Sequence, residues 1–215
     1  MLKKLFLLVL ICAFFAPTNV FAGDKKLYVA GSLGLLFTQD SELSSPDATL
    51  NATARGVNAK IELDTGVALT LAAGTEIMPK VRGEVEYSFR NAGGDKLTSD
   101  VGSIGLTGYD AESMALMFNG YYDFNSETKW KPYLGGGIGF GWVNINGAGL
   151  GVTVDQTSDA EFSYQVMGGL GYQYDANVTA TMGYRYFGMN DPTFVNIVTA
   201  SYDTHAVEIG VRYSF

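Results

Sequence analysis

The chain is poor in the residues that most chemistry needs. Its 215 residues include one cysteine, Cys12, and one histidine, His205. Those two counts exclude a disulfide framework, a zinc cluster and most histidine-centred catalysis. Charged residues make up only 17%, with 14 Lys and Arg against 22 Asp and Glu, for a formal net charge of −8. No basic run is present, so the counterion displacement behind nucleic-acid binding has nothing to drive it. There are five prolines, and past the first residues no stretch holds 18 consecutive apolar side chains. A membrane-spanning helix is thereby excluded. What is abundant is different: 47% hydrophobic residues, 13% aromatics and 27 glycines. That richness argues against a long disordered chain and is unusual for a soluble domain.

The first 22 residues read as a secretory signal that is removed. Lys3 and Lys4 supply the positive start, Leu5 to Ala16 an apolar core of 12 residues, and Pro17 its end. Val20 and Ala22 suit a cleavage site after Ala22. The core is too short to cross a bilayer, for which a helix needs about 20 residues. Cys12 does not fit a lipid-anchor signal, because the preceding Ile11 is large. The expected mature domain, 23–215, carries a charge of −10 and no cysteine, which suits an oxidising compartment.

Period-2 alternation runs through the rest. Val81, Gly83, Val85, Tyr87 and Phe89 alternate with Arg82, Glu84, Glu86, Ser88 and Arg90; Val207, Ile209, Val211, Tyr213 and Phe215 alternate with Ala206, Glu208, Gly210, Arg212 and Ser214. A pleated strand separates such sets onto two faces, whereas a helix would mix them. Eight strands are expected, near 27–38, 66–75, 80–90, 113–124, 131–143, 161–174, 178–187 and 204–215. Short turns near 76–79, 125–130 and 175–177 alternate with long connections at 39–65, 91–112, 144–160 and 188–203. Short turns on one rim and long loops on the other are the pattern of an all-β, antiparallel, up-and-down transmembrane barrel of the bacterial outer membrane. A soluble barrel of the lipocalin kind would carry the same alternation with the apolar face inward. Aromatic placement favours the membrane. Phe37, Phe89, Trp142, Phe162 and Tyr186 gather toward the long-loop rim, and Phe124, Tyr172, Tyr174, Tyr213 and Phe215 toward the short-turn rim. Two belts on one face match two water–lipid interfaces.

Several segments resemble small eight-stranded outer-membrane barrels of the opacity-protein, surface-antigen and OmpA-like transmembrane type. They are Leu27-Tyr28-Val29-Ala30-Gly31-Ser32-Leu33-Gly34, the run Trp130 to Gly139, Tyr184-Arg185-Tyr186, and the end Glu208 to Phe215. The last has the form of an outer-membrane insertion signal, with Gly210, Tyr213 and the terminal Phe215 at its marked positions. The resemblance implies contact with outer-membrane lipid and with the assembly machinery of that membrane. It implies a monomer in a surface-antigen, adhesion or envelope-integrity role, without the periplasmic peptidoglycan-binding domain of longer relatives.

The inward face holds the charges: Arg82, Arg90, Arg185 and Arg212 with Glu84, Glu86, Asp123 and Glu208. Paired carboxylates serve acid–base catalysis in some sites. In an eight-stranded lumen, just wide enough for side chains, the simpler expectation is an ion network that fills the barrel. Neighbouring strands make Arg82–Asp123 and Arg185–Glu208 the expected contacts. His205 has Asp203 and Val207 two residues away on its face, and no serine, so no hydrolytic triad is expected. The run Gly135–Gly141 lacks both the dinucleotide and the phosphate-loop spacing. No loop has the calcium-site pattern, and no cofactor or metal is expected. The stretches 39–64, 91–112, 145–161 and 188–203 carry 14 acids against Arg55, Lys60 and Lys96. Such a surface repels nucleic acid and sulfated glycans and can meet basic partners, so a host or surface ligand is expected through the loops. Two other readings stay open: a narrow, porin-like channel for small solutes, and a membrane-embedded enzyme.

Overall fold

The structure is a computed structural model that describes residues 27–38, 41–44, 60–63, 65–99, 102–105, 109–124, 127–149, 152–190, 193–194, 198–200 and 202–215. The expected export segment with Ala22, and part of the long connections, lie outside the described residues.

Eight long strands wind up and down: β1 (Leu27–Thr38), β2 (Gly66–Met78), β3 (Val81–Ser99), β4 (Tyr109–Asp123), β5 (Trp130–Gly149), β6 (Glu161–Gln173), β7 (Val178–Met189) and β8 (Tyr202–Ser214). Each pairs antiparallel with the next. The last returns to the first, from Tyr28 opposite Ser214 to Thr38 opposite Thr204. The sheet is therefore a closed barrel with no open edge in the lipid layer, where unpaired backbone groups would have no partner. Among the described residues no helix is long and apolar enough to cross a membrane; the strands make the crossing.

The faces divide by parity. On β4, Ala115, Met117, Asn119 and Tyr121 are buried, while Leu116, Phe118 and Tyr122 are exposed. Leu33, Ile138 and Ile209 are 63%, 59% and 64% exposed on the outside. So large and continuous an apolar exterior belongs in lipid, which removes the soluble-barrel alternative.

The long connections differ from expectation. β3, β4 and β5 run well into 91–112 and 144–160, which alternation reads as loops. The backbone hydrogen-bond ladder continues above the lipid layer. In those extensions the apolar–polar contrast that marks a strand in sequence fades although backbone pairing does not. Lys60–Leu63 adds to β3, Ser41–Ser44 adds to Lys60–Leu63, and Val198–Ala200 adds to Ser41–Ser44. The result is a sheet raised beyond the rim on one flank.

At the short-turn rim the connections are tight. Pro79 and Lys80 join β2 to β3, and Lys80 takes a positive φ of 70°. A proline followed by a left-handed residue fits a type II turn. Between β6 and β7, Asp175 Oδ1 accepts from the backbone N–H groups of Asn177 and Val178 at 2.8 and 2.7 Å. The same Asn177 donates from its side chain to the Ser214 carbonyl at 2.7 Å, and Phe215 N donates to Leu27 O at 3.0 Å. The chain end is thus tied to both of its neighbours.

Candidate functional site

The lumen is layered. At the short-turn end, Arg82 of β3 forks onto Asp123 of β4, with Nε to Oδ2 at 2.7 Å and Nη2 to Oδ1 at 3.0 Å. Its third nitrogen donates to Tyr28 OH at 3.0 Å and to Glu84 Oε1 at 3.2 Å, and Tyr28 OH donates to the same Glu84 oxygen at 2.8 Å. The guanidinium also lies 4.5 Å from the Tyr121 ring centre. Adjacent strands present these groups at matching heights, so fork and carboxylate meet edge to edge.

One layer up, Arg185 of β7 is shared between two carboxylates. It donates to Glu208 of β8 through Nε at 2.9 Å and Nη2 at 3.1 Å, and through Nη1 to Glu86 of β3 at 2.7 Å. Gln165 and Asn119 complete the layer: Arg185 donates to Gln165, Gln165 to Asn119 and Glu86, and Asn119 to Glu86. Each buried charge has an opposite charge and neutral donors or acceptors around it, the condition under which ions are tolerated in low dielectric.

The glycine run of β5 makes this layer fit. Gly135 and Gly137 face inward, and a Cβ on them would stand 2.4 Å from the Tyr121 ring and 2.0 Å from Asn119 Oδ1. The run is a bare wall that gives its neighbours' side chains room.

Arg90 and Arg212 do not join the ion pairs. Among the described residues neither has a carboxylate partner. Arg212 lies against the Tyr28 ring at 5.5 Å. Arg90 stands four residues beyond Glu86 on β3, roughly 13 Å further along the strand. It reaches across the lumen to the Phe187 ring of β7, 3.8 Å from its centre, and donates to Ser88 at 2.9 Å. Arg90 is 1% exposed, and its Nη2 has no hydrogen-bond partner.

Around and above Arg90 the lumen turns apolar. Ala115, Met117, Val143, Phe187, Met189 and Tyr202 form one buried cluster, and Leu36, Ala68, Ala92 and Ala206 a second. Leu36 is 0% and Phe187 1% exposed. Sequence reasoning missed this cap, and missed Tyr28, Tyr121, Asn119 and Gln165 as network partners. Part of the signal was available: Asn119 and Tyr121 share strand parity with Asp123, and Phe187 and Met189 with Arg185, whereas β1, which carries Tyr28 and Leu36, holds no charge.

The remaining candidates sit elsewhere. Gly210 packs inward, where a Cβ would meet Gly31 O at 2.6 Å, and Tyr213 and Phe215 stack edge to face at 5.3 Å on the outer surface. His205 and Asp203 face outward. His205 Nδ1 shares a hydrogen bond with Tyr184, and Asp203 accepts from Tyr186 at 2.8 Å. Among the described residues no group of three His, Cys, Asp or Glu could hold a metal ion. Of the acidic segments, 91–112 and 145–161 lie mostly within described strands, while most of 39–64 lies outside the described residues.

A closed eight-stranded barrel with a lipid-facing apolar exterior and a charged interior is an outer-membrane barrel. The sequence model of the outer membrane protein beta-barrel domain family matches residues 6–215, and the chain belongs to that family. It is 25% identical over 205 residues to outer membrane protein PagN of Salmonella typhimurium, covering 86% of this chain and 83% of PagN. Neisserial surface protein A superposes with a TM-score of 0.60 at 20% identity, over 88% of this chain and 97% of its own. The outer membrane protease OmpT of Escherichia coli superposes at 0.58 with 10% identity, over 92% and 99%. Likenesses at these identities establish the fold. The protein resides in the outer membrane.

Proposed function

We propose that the chain is an adhesion-type surface protein whose barrel is a closed anchor and whose acidic loops make the contact with other surfaces. The observation that carries this reading is the layered lumen: an interlocked ion network with a tightly packed cap of mainly apolar side chains on its loop side. A filled barrel has no use as a conduit, which leaves the long loops as the part that can make contacts outside the membrane. Their 14 acids against three bases favour a partner with a basic surface. Neisserial surface protein A, a surface protein by name, has the same fold.

The channel reading has one observation on its side, a cavity of about 70 Å³ beside Arg212, Glu84 and Glu208. It is room for a few waters at ~10–15 Å³ each, and the apolar cap separates it from the loop side. An enzymatic reading gains little. Glu86 and Glu208 are both engaged by Arg185, and His205 points into lipid with no serine on its strand face.

The test is to shorten 39–64 and 91–112 to tight turns. The barrel should still fold, because closing shorter loops costs slightly less entropy, and it should keep its heat-modifiable shift in electrophoresis. Binding of whole cells to host-cell surfaces should fall. Undiminished binding after all four long connections are shortened would remove the loops as the contact surface.

A further inference from the structure

The loop-side aromatic belt is chemically lopsided. Over β1, β3, β5 and the start of β6 it consists of Phe37, Phe89, Phe140, Trp142 and Phe162. Over β6, β7 and β8 the outer face instead carries Tyr164, Tyr184, Tyr186, His205 and Asp203, joined to one another. Tyr186 donates to Asp203 Oδ1 at 2.8 Å, the Tyr164 and Tyr186 hydroxyls are 3.5 Å apart, and Tyr184 bonds His205. The rings overlap in sequence, Tyr164 to Tyr186 at 6.0 Å and Tyr186 to His205 at 5.2 Å. Gly188 forms the floor. A Cβ there would lie 2.6 Å from the Tyr164 ring and 2.8 Å from Asp203 Oδ1. The missing side chain is what lets ring and carboxylate approach each other. Tyr164 and Tyr184 remain 38% and 50% exposed.

We propose that this patch binds the sugar headgroup of an outer-leaflet glycolipid. Its height fits: His205 stands opposite Phe37 of β1 in the belt that marks the outer water–lipid interface. The Tyr164 and Tyr186 hydroxyls and the Asp203 carboxylate keep donor and acceptor capacity beyond the bonds they make to one another, and a headgroup at this height can use it. Flat rings accept the C–H faces of a pyranose, and a carboxylate with tyrosine hydroxyls accepts and donates to its hydroxyl groups. Among the described residues this face carries no lysine or arginine. With Asp203 at its centre it selects against phosphate as the recognised group, so sugar, and not headgroup charge, is the ligand chemistry.

The test uses the full barrel in phosphatidylcholine nanodiscs holding equal mole fractions of a diglucosamine glycolipid and of phosphatidylglycerol with matched acyl chains. Lipids that stay bound on extraction are counted by native mass spectrometry. The glycolipid should be retained preferentially. Tyr186→Phe with Asp203→Asn keeps the rings and removes a donor and an acceptor, and should lower glycolipid retention about fivefold or more. Phe89→Leu, in the same belt but on β3, should leave retention unchanged. Should the double variant fail to fold, Tyr164→Phe, which deletes a single hydroxyl, carries the same expectation of reduced retention. Equal retention of the two lipids, or undiminished glycolipid on a folded patch variant, would overturn the proposal.

Discussion

Arg185 and Arg90 are both buried guanidiniums on the inner wall of one barrel, and their surroundings set opposite expectations for their removal. Arg185 holds Glu86 and Glu208 together. Arg185→Met leaves two carboxylates without their cation, and should destabilise the barrel by about 3–5 kcal/mol, as for other broken buried pairs. Arg90 has only a ring, a serine and an unpartnered nitrogen. Arg90→Met trades an unpaired buried cation for a side chain that suits the cap, and should cost less than about 1 kcal/mol or stabilise. Urea unfolding in lipid vesicles measures both. A cost for Arg90→Met equal to that of Arg185→Met would show that the cap needs its cation. Changing Arg185 and Glu208 to Ala together should cost less than the sum of the single changes, because the pair leaves together and only Glu86 loses its cation. At this scale the sequence exposes part of the site. Parity places each charge inside, and strand adjacency gives Arg82 with Asp123 and Arg185 with Glu208. The contact from Arg185 to Glu86 joins β7 to β3 across the lumen. Strand order alone does not predict it, because it depends on how far the closed barrel brings opposite walls together.

The strands were legible wherever one face meets lipid and the other the lumen, since that contrast alone writes period 2 into the sequence. All eight appear, and their short-turn ends lie within a few residues of expectation. Their loop-side ends were not legible: β3 continues to Ser99 and β5 to Gly149, through segments in which apolar and polar residues no longer alternate. The cap escaped notice for a related reason. Leu36, Met117 and Phe187 break the polar-inward rule, and on one strand at a time each looks like an exception. β8 is the element on which closure depends. It pairs with β1 along eleven register positions, and the Phe215 N–H reaches Leu27 O. Its outer rings Tyr213 and Phe215 stack in the lower belt. Deleting Phe215, or changing it to Asp, should reduce folded barrel in the outer-membrane fraction far more than Ser214→Ala does. Equal yields of the two would mean that the chain end carries no insertion information.

Taken as a whole, the molecule places its two polar regions on either side of a packed, mainly apolar partition. Below lies the ion network with its small cavity; above lie the raised strands and acidic loops; between them Leu36, Met117, Phe187 and Met189 fill the bore, with Arg90 laid across Phe187. Water must cross that partition for ions to pass. The side chains there are packed to full burial and only a few hydroxyls are interspersed among them, so little room is left for a water file, and the guanidinium adds a fixed positive charge in low dielectric. The unmodified protein should therefore show little or no steady conductance in planar bilayers. Loosening the partition should have a different effect from loosening the network. Phe187→Ala with Leu36→Ala removes apolar volume from the cap and should let brief openings appear while the ion pairs below hold the barrel folded. Arg185→Ala should lower stability first, with the cap still closing the bore. Large, stable conductance in the unmodified protein would overturn the closed-anchor reading in favour of the channel. Openings in the Arg185 variant but not in the cap variant would place the barrier in the ion network instead.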